Sequence, residues 1–290
     1  MTITRARFEE RLFGTLKVLS IVLFVVVSLF PLVYMVGLSF KPIQELLRNP
    51  TNIVPSWEQI RSLETYRAVL RSQSEGGQGF LLFIRNSTIV ATSTVVLTLG
   101  FGILAAYAVA RLSFFGKRSV SLGIILIYLF PAVVVSIPLF VMFSRIGLRS
   151  SLLGLIVVYL ASTLPVTLYM LRGYFQSIPK ELEEAGMVDG LSRAGVIWKI
   201  TLPLAAPAVA ATALYVFMIA WNEFLYALLF VLENRQLWTL SLGLQQLDTQ
   251  EVPKTMLMAG SVIITIPVIV LFFAAERFLT EGLTAGGVKG

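Results

Sequence analysis

The sequence predicts an all-α polytopic membrane protein with six transmembrane helices. Two compositional observations support this class: 57 % of the 290 residues are hydrophobic and only 13 % are charged. A soluble domain carries about 45–50 % apolar and about 25 % charged residues, so this chain has too little charge to coat a folded surface in water. The third observation is a series of six apolar stretches, each close to the roughly 20 residues that a helix needs to cross a bilayer.

The predicted spans are Leu16–Phe40, Phe83–Ala110, Val120–Phe143, Leu152–Leu171, Pro207–Phe230 and Met256–Ala275. The first is too long for the apolar core of a signal peptide and ends in no Ala-x-Ala cleavage site, so we expect it to be retained. Six spans put both termini on one side of the membrane. That side holds the larger share of the 23 Lys and Arg residues, which predicts cytoplasmic termini.

The residue types that are absent exclude several classes of chemistry. The chain has no His and no Cys. This excludes Ser–His–Asp and Cys–His nucleophiles, Cys/His zinc sites and disulfide frameworks. The net charge is +7, but no run of five like charges occurs, so basic loops at a lipid surface explain the excess better than a nucleic-acid arm does.

The chain is expected to divide near residue 82. Residues 1–82 would hold the N-terminal tail, the first span and an external segment, Lys41–Gly79, in which Trp57–Ser72 is a candidate helix. This external segment is either a plain connector or a docking surface. Residues 83–290 would form a five-helix core, with an unusually long cytoplasmic loop at 172–206 and a C-terminal tail at 276–290.

The first half of that loop has the signals of a short helix. Pro179 stands at a first-turn position, and Glu181, Glu183 and Glu184 follow, where the helix dipole favours acids. An apolar edge is expected at Leu182, Ala185 and Gly186. Gly190 would end the helix with a left-handed cap.

The second half of the loop predicts another short helix. Ser192 can cap it, it would extend through Trp198, and Pro203 would close it before the fifth span. An elbow of two helices with small residues and exposed acids suits docking into a cleft of a soluble partner. An amphipathic elbow lying on the lipid surface is the alternative.

At this loop the sequence resembles a known family. The motif Glu-Ala-Ala, three residues, Gly, nine residues, Ile, one residue, Leu-Pro marks the EAA loop of ATP-binding-cassette importer permeases. The matching positions here are Glu184, Ala185, Gly186, Gly190, Ile200, Leu202 and Pro203. All spacings agree, and the one departure is Gly186 in place of the second alanine.

Further segments resemble carbohydrate-uptake permeases of the maltose type. They are Ala106–Leu112 with Phe115–Lys117 at the end of the second span, Pro131 and Pro138 in a broken third span, Trp221–Phe224, and the tail Gly282–Gly290. The tail is similar to that of the second, six-span permease subunit. Together the resemblance covers roughly residues 83–290.

The resemblance implies a type I ABC importer permease fold in a bacterial inner membrane and a division of labour. The expected partners are a second homologous permease, two cytoplasmic ATPase subunits, an extracytoplasmic sugar-binding protein and membrane lipid, with no nucleic acid. This subunit would be non-catalytic and hold no cofactor or metal, while the ATPases bind ATP and Mg.

The same resemblance assigns roles to residues. Glu184 would pair with a basic or donor group of the ATPase, and Asp189 belongs to the same coupling face. Close approach would use Ala185, Gly186 and Gly190. The elbow would be anchored by Ile200, Leu202 and Pro203. The tail would contact the ATPases through Gly286, Gly287 and Lys289.

Within the spans, polar residues mark a candidate solute pathway. Tyr215, Met218, Asn222 and Tyr226 fall on one face of an uninterrupted helix, and Glu223 is the only acid inside a predicted span. Aromatic rings, amides and carboxylates suit sugar recognition. A packing seam, with Asn222 and Glu223 tying spans together, is the alternative.

The predicted function is therefore the permease subunit of an ATP-driven, binding-protein-dependent sugar importer. The same architecture serving glycerol phosphate, an amino sugar or a polyamine is an alternative, although no Lys or Arg lies in the core of the predicted spans. An ion-coupled secondary transporter using Glu223 or a structural membrane protein would leave the elbow unexplained.

Overall fold

The computed structural model describes residues 5–49 and 52–287, and within those ranges it contains helices and no β-strand. In chain order the helices are α1 (Arg5–Ser39), α2 (Ile43–Arg48), α3 (Trp57–Ser62), α4 (Glu64–Leu70), α5 (Phe80–Arg111), α6 (Lys117–Leu129), α7 (Ala132–Arg145), α8 (Leu152–Ser177), α9 (Lys180–Val188), α10 (Arg193–Val196), α11 (Leu202–Leu204), α12 (Ala206–Asn222), α13 (Leu225–Val231), α14 (Leu240–Leu247) and α15 (Lys254–Gly287).

Four of the six predicted spans are single helices. In the described part of the chain, α1, α5, α8 and α15 are each long and apolar enough to cross a membrane. A fifth candidate is the bent pair Arg193–Leu204 and Ala206–Asn222. The predicted third and fifth spans are not continuous helices.

The third span breaks between α6 and α7 at Phe130 and Pro131. Phe130 is extended, with ψ 126°, because the ring of a following proline disfavours the helical region. The resemblance had implied a broken third span here. Pro138, Pro165 and Pro267, by contrast, lie inside α7, α8 and α15, which continue through them.

The chain forms two compact units. One comprises residues 1–78 and 247–263, and the other residues 79–246 and 264–290. In the first unit Lys41 is fully buried and donates to the carbonyl of Asn52, while the Ser39 and Tyr66 hydroxyls lie 2.7 Å apart. The predicted helix Trp57–Ser72 is instead two helices, α3 and α4, because Leu63 adopts a left-handed conformation with φ 50°.

The second unit is built on α5, against which α8 and α12 pack. Between α5 and α8 the hydroxyls of Thr98 and Thr163 are hydrogen-bonded at 2.9 Å, and both side chains are fully buried. One helical turn away, a Cβ on Gly102 would lie 2.4 Å from Thr167 Cγ2. Small and hydroxylated residues of this kind let membrane helices approach closely.

Candidate functional site

The loop after α8 folds into an elbow, which we define as residues 178–205. Its first arm is α9, for which Pro179 is the residue preceding the helix rather than part of its first turn. Gly190 adopts φ +90°, the left-handed conformation that glycine allows at the end of a helix. Ser192 caps the second arm by accepting from the N–H of Gly195 at 3.2 Å. The predicted turn at Gly190 and the cap at Ser192 are confirmed.

The second arm is longer than predicted. It does not end at Trp198 but continues through a π-helical turn, Ile197–Thr201, to Leu204, and the chain then bends by 81° into α12. In the turn the N–H of Leu202 donates to the carbonyl of Ile197, five residues back. A π turn has backbone hydrogen bonds between residues five apart instead of the four apart of an α-helix. Pro203, which has no N–H to donate, follows this turn inside the helix. The helix ends at Leu204, one residue after Pro203 and before α12 begins.

The two arms of the elbow touch at Gly186. A Cβ at this position would lie 2.3 Å from Ile200 Cδ1 and 3.4 Å from Leu191 Cδ1. Gly186 is buried although it stands on a short helix. The departure from the family motif therefore coincides with a close contact between the arms.

A buried polar cluster, which we call the clamp, lies under the elbow. It consists of Tyr107, Arg111, Glu183 and Thr201. The carboxylate of Glu183 accepts from Arg111 Nε at 2.9 Å, from the Tyr107 hydroxyl at 3.1 Å and from the Thr201 hydroxyl at 3.3 Å. Arg111 also donates to the carbonyl of Ile178 at 2.7 Å. The Arg111 and Glu183 side chains are each only 6 % exposed.

The clamp joins three elements of the second unit. Tyr107 and Arg111 lie in the last turns of α5, Glu183 lies in α9, and Thr201 lies in the π turn. A buried charge is tolerated when it is paired and its remaining hydrogen bonds are made. The elbow is thus fixed to the end of α5 by a network whose charges compensate each other.

The opposite face of α9 is exposed. Glu184 and Ala185, two of the predicted coupling residues, lie on it, and two more, Asp189 and Gly190, are exposed in the turn that follows. Of the other predicted residues, Ile200 and Leu202 are half-buried, which suits anchoring, whereas Pro203 is exposed. Of the predicted apolar edge, Leu182 and Ala185 are exposed, whereas Gly186 is buried together with Glu183.

Large apolar side chains accompany the exposed acids. Val188 is 87 % exposed and Trp198 is 66 % exposed. Large exposed apolar side chains beside charged ones are typical of surfaces that bind a protein partner or a membrane.

Sequence reasoning missed the clamp. Glu183 was noted only as an acid of the first turn, and Arg111 only as part of a family motif. One signal was available: Glu183 precedes Gly186 by three residues, so the two share a helix face, and Gly186 was already expected to allow close packing.

The predicted solute pathway is only partly brought together. Tyr215 is half-buried, Met218 is 41 % exposed and Asn222 is exposed, all on α12. Tyr226 is buried and lies on α13, beyond the break at Glu223. The expectation that Tyr226 shares their helix face is wrong because the helix is interrupted.

Glu223 stabilises that interruption. Its carboxylate accepts from the backbone N–H groups of Tyr226 and Ala227, at 2.9 and 3.2 Å, and from the Tyr159 hydroxyl at 2.6 Å. It therefore caps the N-terminus of α13, where a negative charge is favoured. This matches the alternative in which Glu223 ties spans together.

The predicted C-terminal contacts are only partly described. Gly286 and Gly287 form the end of α15, so the predicted tail from residue 276 is helical as far as Gly287. Lys289 lies outside the described residues.

Comparison with known proteins gives a consistent result. Residues 98–284 match the family described as binding-protein-dependent transport system inner membrane component. The inner membrane ABC transporter permease protein YcjP of Escherichia coli is 35 % identical, covering 93 % of this chain and 95 % of that protein. The trehalose/maltose transport system permease protein MalG of Thermococcus litoralis is 35 % identical, covering 97 % and 99 %.

Another relative is named for a different solute. The sulfoquinovosyl glycerol transport system permease protein SmoH of Agrobacterium fabrum is 35 % identical, covering 95 % of this chain and 94 % of that protein. A solved structure of a bacterial ABC transporter involved in the import of alginate superposes with a TM-score of 0.78 at 22 % identity, covering 96 % and 99 %. This likeness concerns the fold, and it agrees with the predicted importer permease fold.

Proposed function

Since this chain belongs to the family of binding-protein-dependent transport system inner membrane components, we propose that it forms one half of the pathway of an ATP-driven sugar importer. It spans the inner membrane, with both termini and the elbow on the cytoplasmic side. A second homologous permease would supply the other half. Two ATPase subunits would bind ATP and Mg, and an extracytoplasmic sugar-binding protein would deliver the solute.

The observation that carries this proposal is the two-sided elbow. Its exposed face presents Glu184, Ala185 and Asp189, and its buried face is fixed to α5 through the clamp. A rigid element with one face free and one face fixed suits the transfer of movement from an ATPase to the spans.

The structure also bears on the rival transport mechanism. An ion-coupled transporter would need Glu223 to gain and lose a proton during the cycle. Its carboxylate instead accepts three hydrogen bonds that hold the start of α13. These contacts support a structural role for Glu223 and favour the ATP-driven importer.

Sugar is the solute class that we propose, because several relatives are named for sugar transport, among them permeases for trehalose/maltose and for trehalose. The pathway candidates on this subunit are Tyr215, Met218 and Asn222. Tyr226 and Glu223 would act by holding the break between α12 and α13.

The experiment is ATP-dependent sugar uptake by the complete importer, reconstituted with its binding protein. Glu184→Lys reverses a charge on the exposed face and should abolish uptake while leaving the subunit in the membrane. Glu181→Lys makes the same charge change on an exposed residue of the same helix outside the motif, so it serves as the matched control. Wild-type uptake by the Glu184→Lys importer would refute the docking role.

A further inference from the structure

A cavity of about 750 Å³ opens between the last turns of α8 and the first turns of α12. Its lining includes Tyr169, Arg172, Gln176, Ala208, Ala211 and Thr212. Gly173 also lines it, and a Cβ added there would meet nothing within 4 Å. Small-molecule sites in proteins have volumes of about 300–1,000 Å³, so the cavity is large enough for a small solute.

The α8 wall carries polar side chains that line the cavity. Nε of Arg172 is buried and has no hydrogen-bond partner among the residues that the structure describes. A buried donor without an acceptor costs free energy and calls for an explanation. The Gln176 amide is exposed, and the Tyr169 ring is 69 % exposed. Residues 169, 172 and 176 share one helix face at spacings of three and four.

The α12 wall continues the predicted solute stripe. Ala208, Ala211, Tyr215, Met218 and Asn222 follow one another at spacings of three and four along α12, so they lie on one face of that helix. The cavity residues therefore occupy the start of the same face on which the pathway candidates stand.

We propose that this cavity is a solute subsite near the cytoplasmic end of the pathway and that Arg172 determines which solutes it accepts. The inference deepens the proposed function and rests on it. Tyr169 would offer its ring to the CH face of a sugar, and Gln176 and Arg172 would donate to its oxygens. The guanidinium fork binds carboxylates and related oxyanions in a bidentate manner, so the subsite holds a sugar with an acidic group more tightly than a neutral one.

Continuity with the α12 stripe favours a solute over a lipid as the occupant. Basic pockets between membrane helices on the cytoplasmic side also bind anionic lipid headgroups, and that occupant is an outcome of the test below.

The chain has no cysteine, which allows labelling of single introduced thiols on this subunit. Tyr169→Cys and Gln176→Cys would be treated with a membrane-impermeant maleimide from the ATPase side of the reconstituted importer. Ser113→Cys is the control, since Ser113 is exposed in the loop between α5 and α6 and does not line the cavity. We expect all three thiols to react, and a transported sugar to protect the two cavity thiols but not the control.

A transport measurement is the second part of the test. Arg172→Gln should lower import of an acidic sugar about tenfold relative to a neutral one, the size of effect expected from one charge-assisted hydrogen bond, and Arg172→Lys should restore part of it. The probes are sulfoquinovosyl glycerol and trehalose, each presented with a binding protein that accepts it.

The outcomes separate this inference from the proposed function. If the wild-type importer shows no ATP-dependent uptake of any sugar that its binding protein binds, the proposed function fails. If it takes up sugar but a transported sugar protects the cavity thiols no more than the control, or Arg172→Gln leaves the ratio of the two solutes unchanged, the subsite is refuted. Protection by anionic phospholipid in the vesicles, and not by sugar, would assign the cavity to a headgroup and also overturn the proposal.

Discussion

Loss of one charge of the clamp should destabilise the subunit strongly. Arg111→Met would leave the Glu183 carboxylate in a site where only 6 % of the side chain is exposed, with hydroxyl donors at 3.1 and 3.3 Å but no cation. Breaking a buried pair by removing one partner costs about 3–5 kcal/mol, whereas replacing both partners by apolar residues is often close to neutral.

The expected magnitudes follow from that asymmetry. Each single variant, Arg111→Met or Glu183→Leu, should lower the free energy of unfolding by about 3–5 kcal/mol. The double variant should lose clearly less than the sum of the two, since neither charge is left alone. As controls, Lys199→Met and Glu184→Leu change exposed residues of the elbow and should stay within about 0.5 kcal/mol of the wild type.

The assay is unfolding of the purified subunit by SDS in mixed micelles, followed by circular dichroism. Effects that add within about 0.5 kcal/mol would show that the two residues do not interact, and the clamp would then not be an energetic unit. The same variants would be tested for the ratio of sugar imported to ATP hydrolysed. A loosened elbow should lower that ratio while hydrolysis continues.

Two further predictions concern the elbow and the break before α13. Gly186→Ala should change stability only slightly, because the gain in helix propensity of up to about 1 kcal/mol offsets the shift that Ile200 Cδ1 must make. Gly186→Leu should instead separate the arms and uncouple ATP hydrolysis from import. Equal transport by both variants would contradict the close packing. Glu223→Gln should destabilise the subunit by about 1–3 kcal/mol, because it weakens the contacts with Tyr159 and α13. ATP-driven uptake by this variant should stay insensitive to a proton gradient. A gradient requirement in the wild type that this change removes would favour the secondary transporter.

The positions of the spans could be read from the sequence because a bilayer imposes a length of apolar chain. The breaks were harder to place. At Pro131 the local signal is direct, since proline constrains the residue before it. At Glu223 only part of the cause is local, since its carboxylate accepts from the N–H groups of Tyr226 and Ala227; the rest depends on Tyr159, a residue 64 positions earlier in the chain.

In the elbow, too, the features set by nearby residues could be predicted and the one set by a distant residue could not. The turn at Gly190 and the cap at Ser192 are local, and both were predicted. The burial of Glu183 is not local: acids in a first turn usually face solvent, and this one is buried because Arg111 meets it from 72 residues away. The sequence offers a first-turn acid at Glu183 and an arginine in a separate motif. The spacing to Gly186 indicates that Glu183 faces the packed side, but nothing local indicates that Arg111 meets it there.

The central claim is that the exposed face of the elbow meets a partner ATPase, and site-specific photo-crosslinking tests it most directly. A photoreactive amino acid would replace Val188, which is 87 % exposed on α9, or Trp57, which is 74 % exposed on α3. In the assembled importer, position 188 should crosslink to the ATPase and position 57 should not. Crosslinks to the ATPase from position 57, or crosslinks only to lipid from position 188, would contradict the claim.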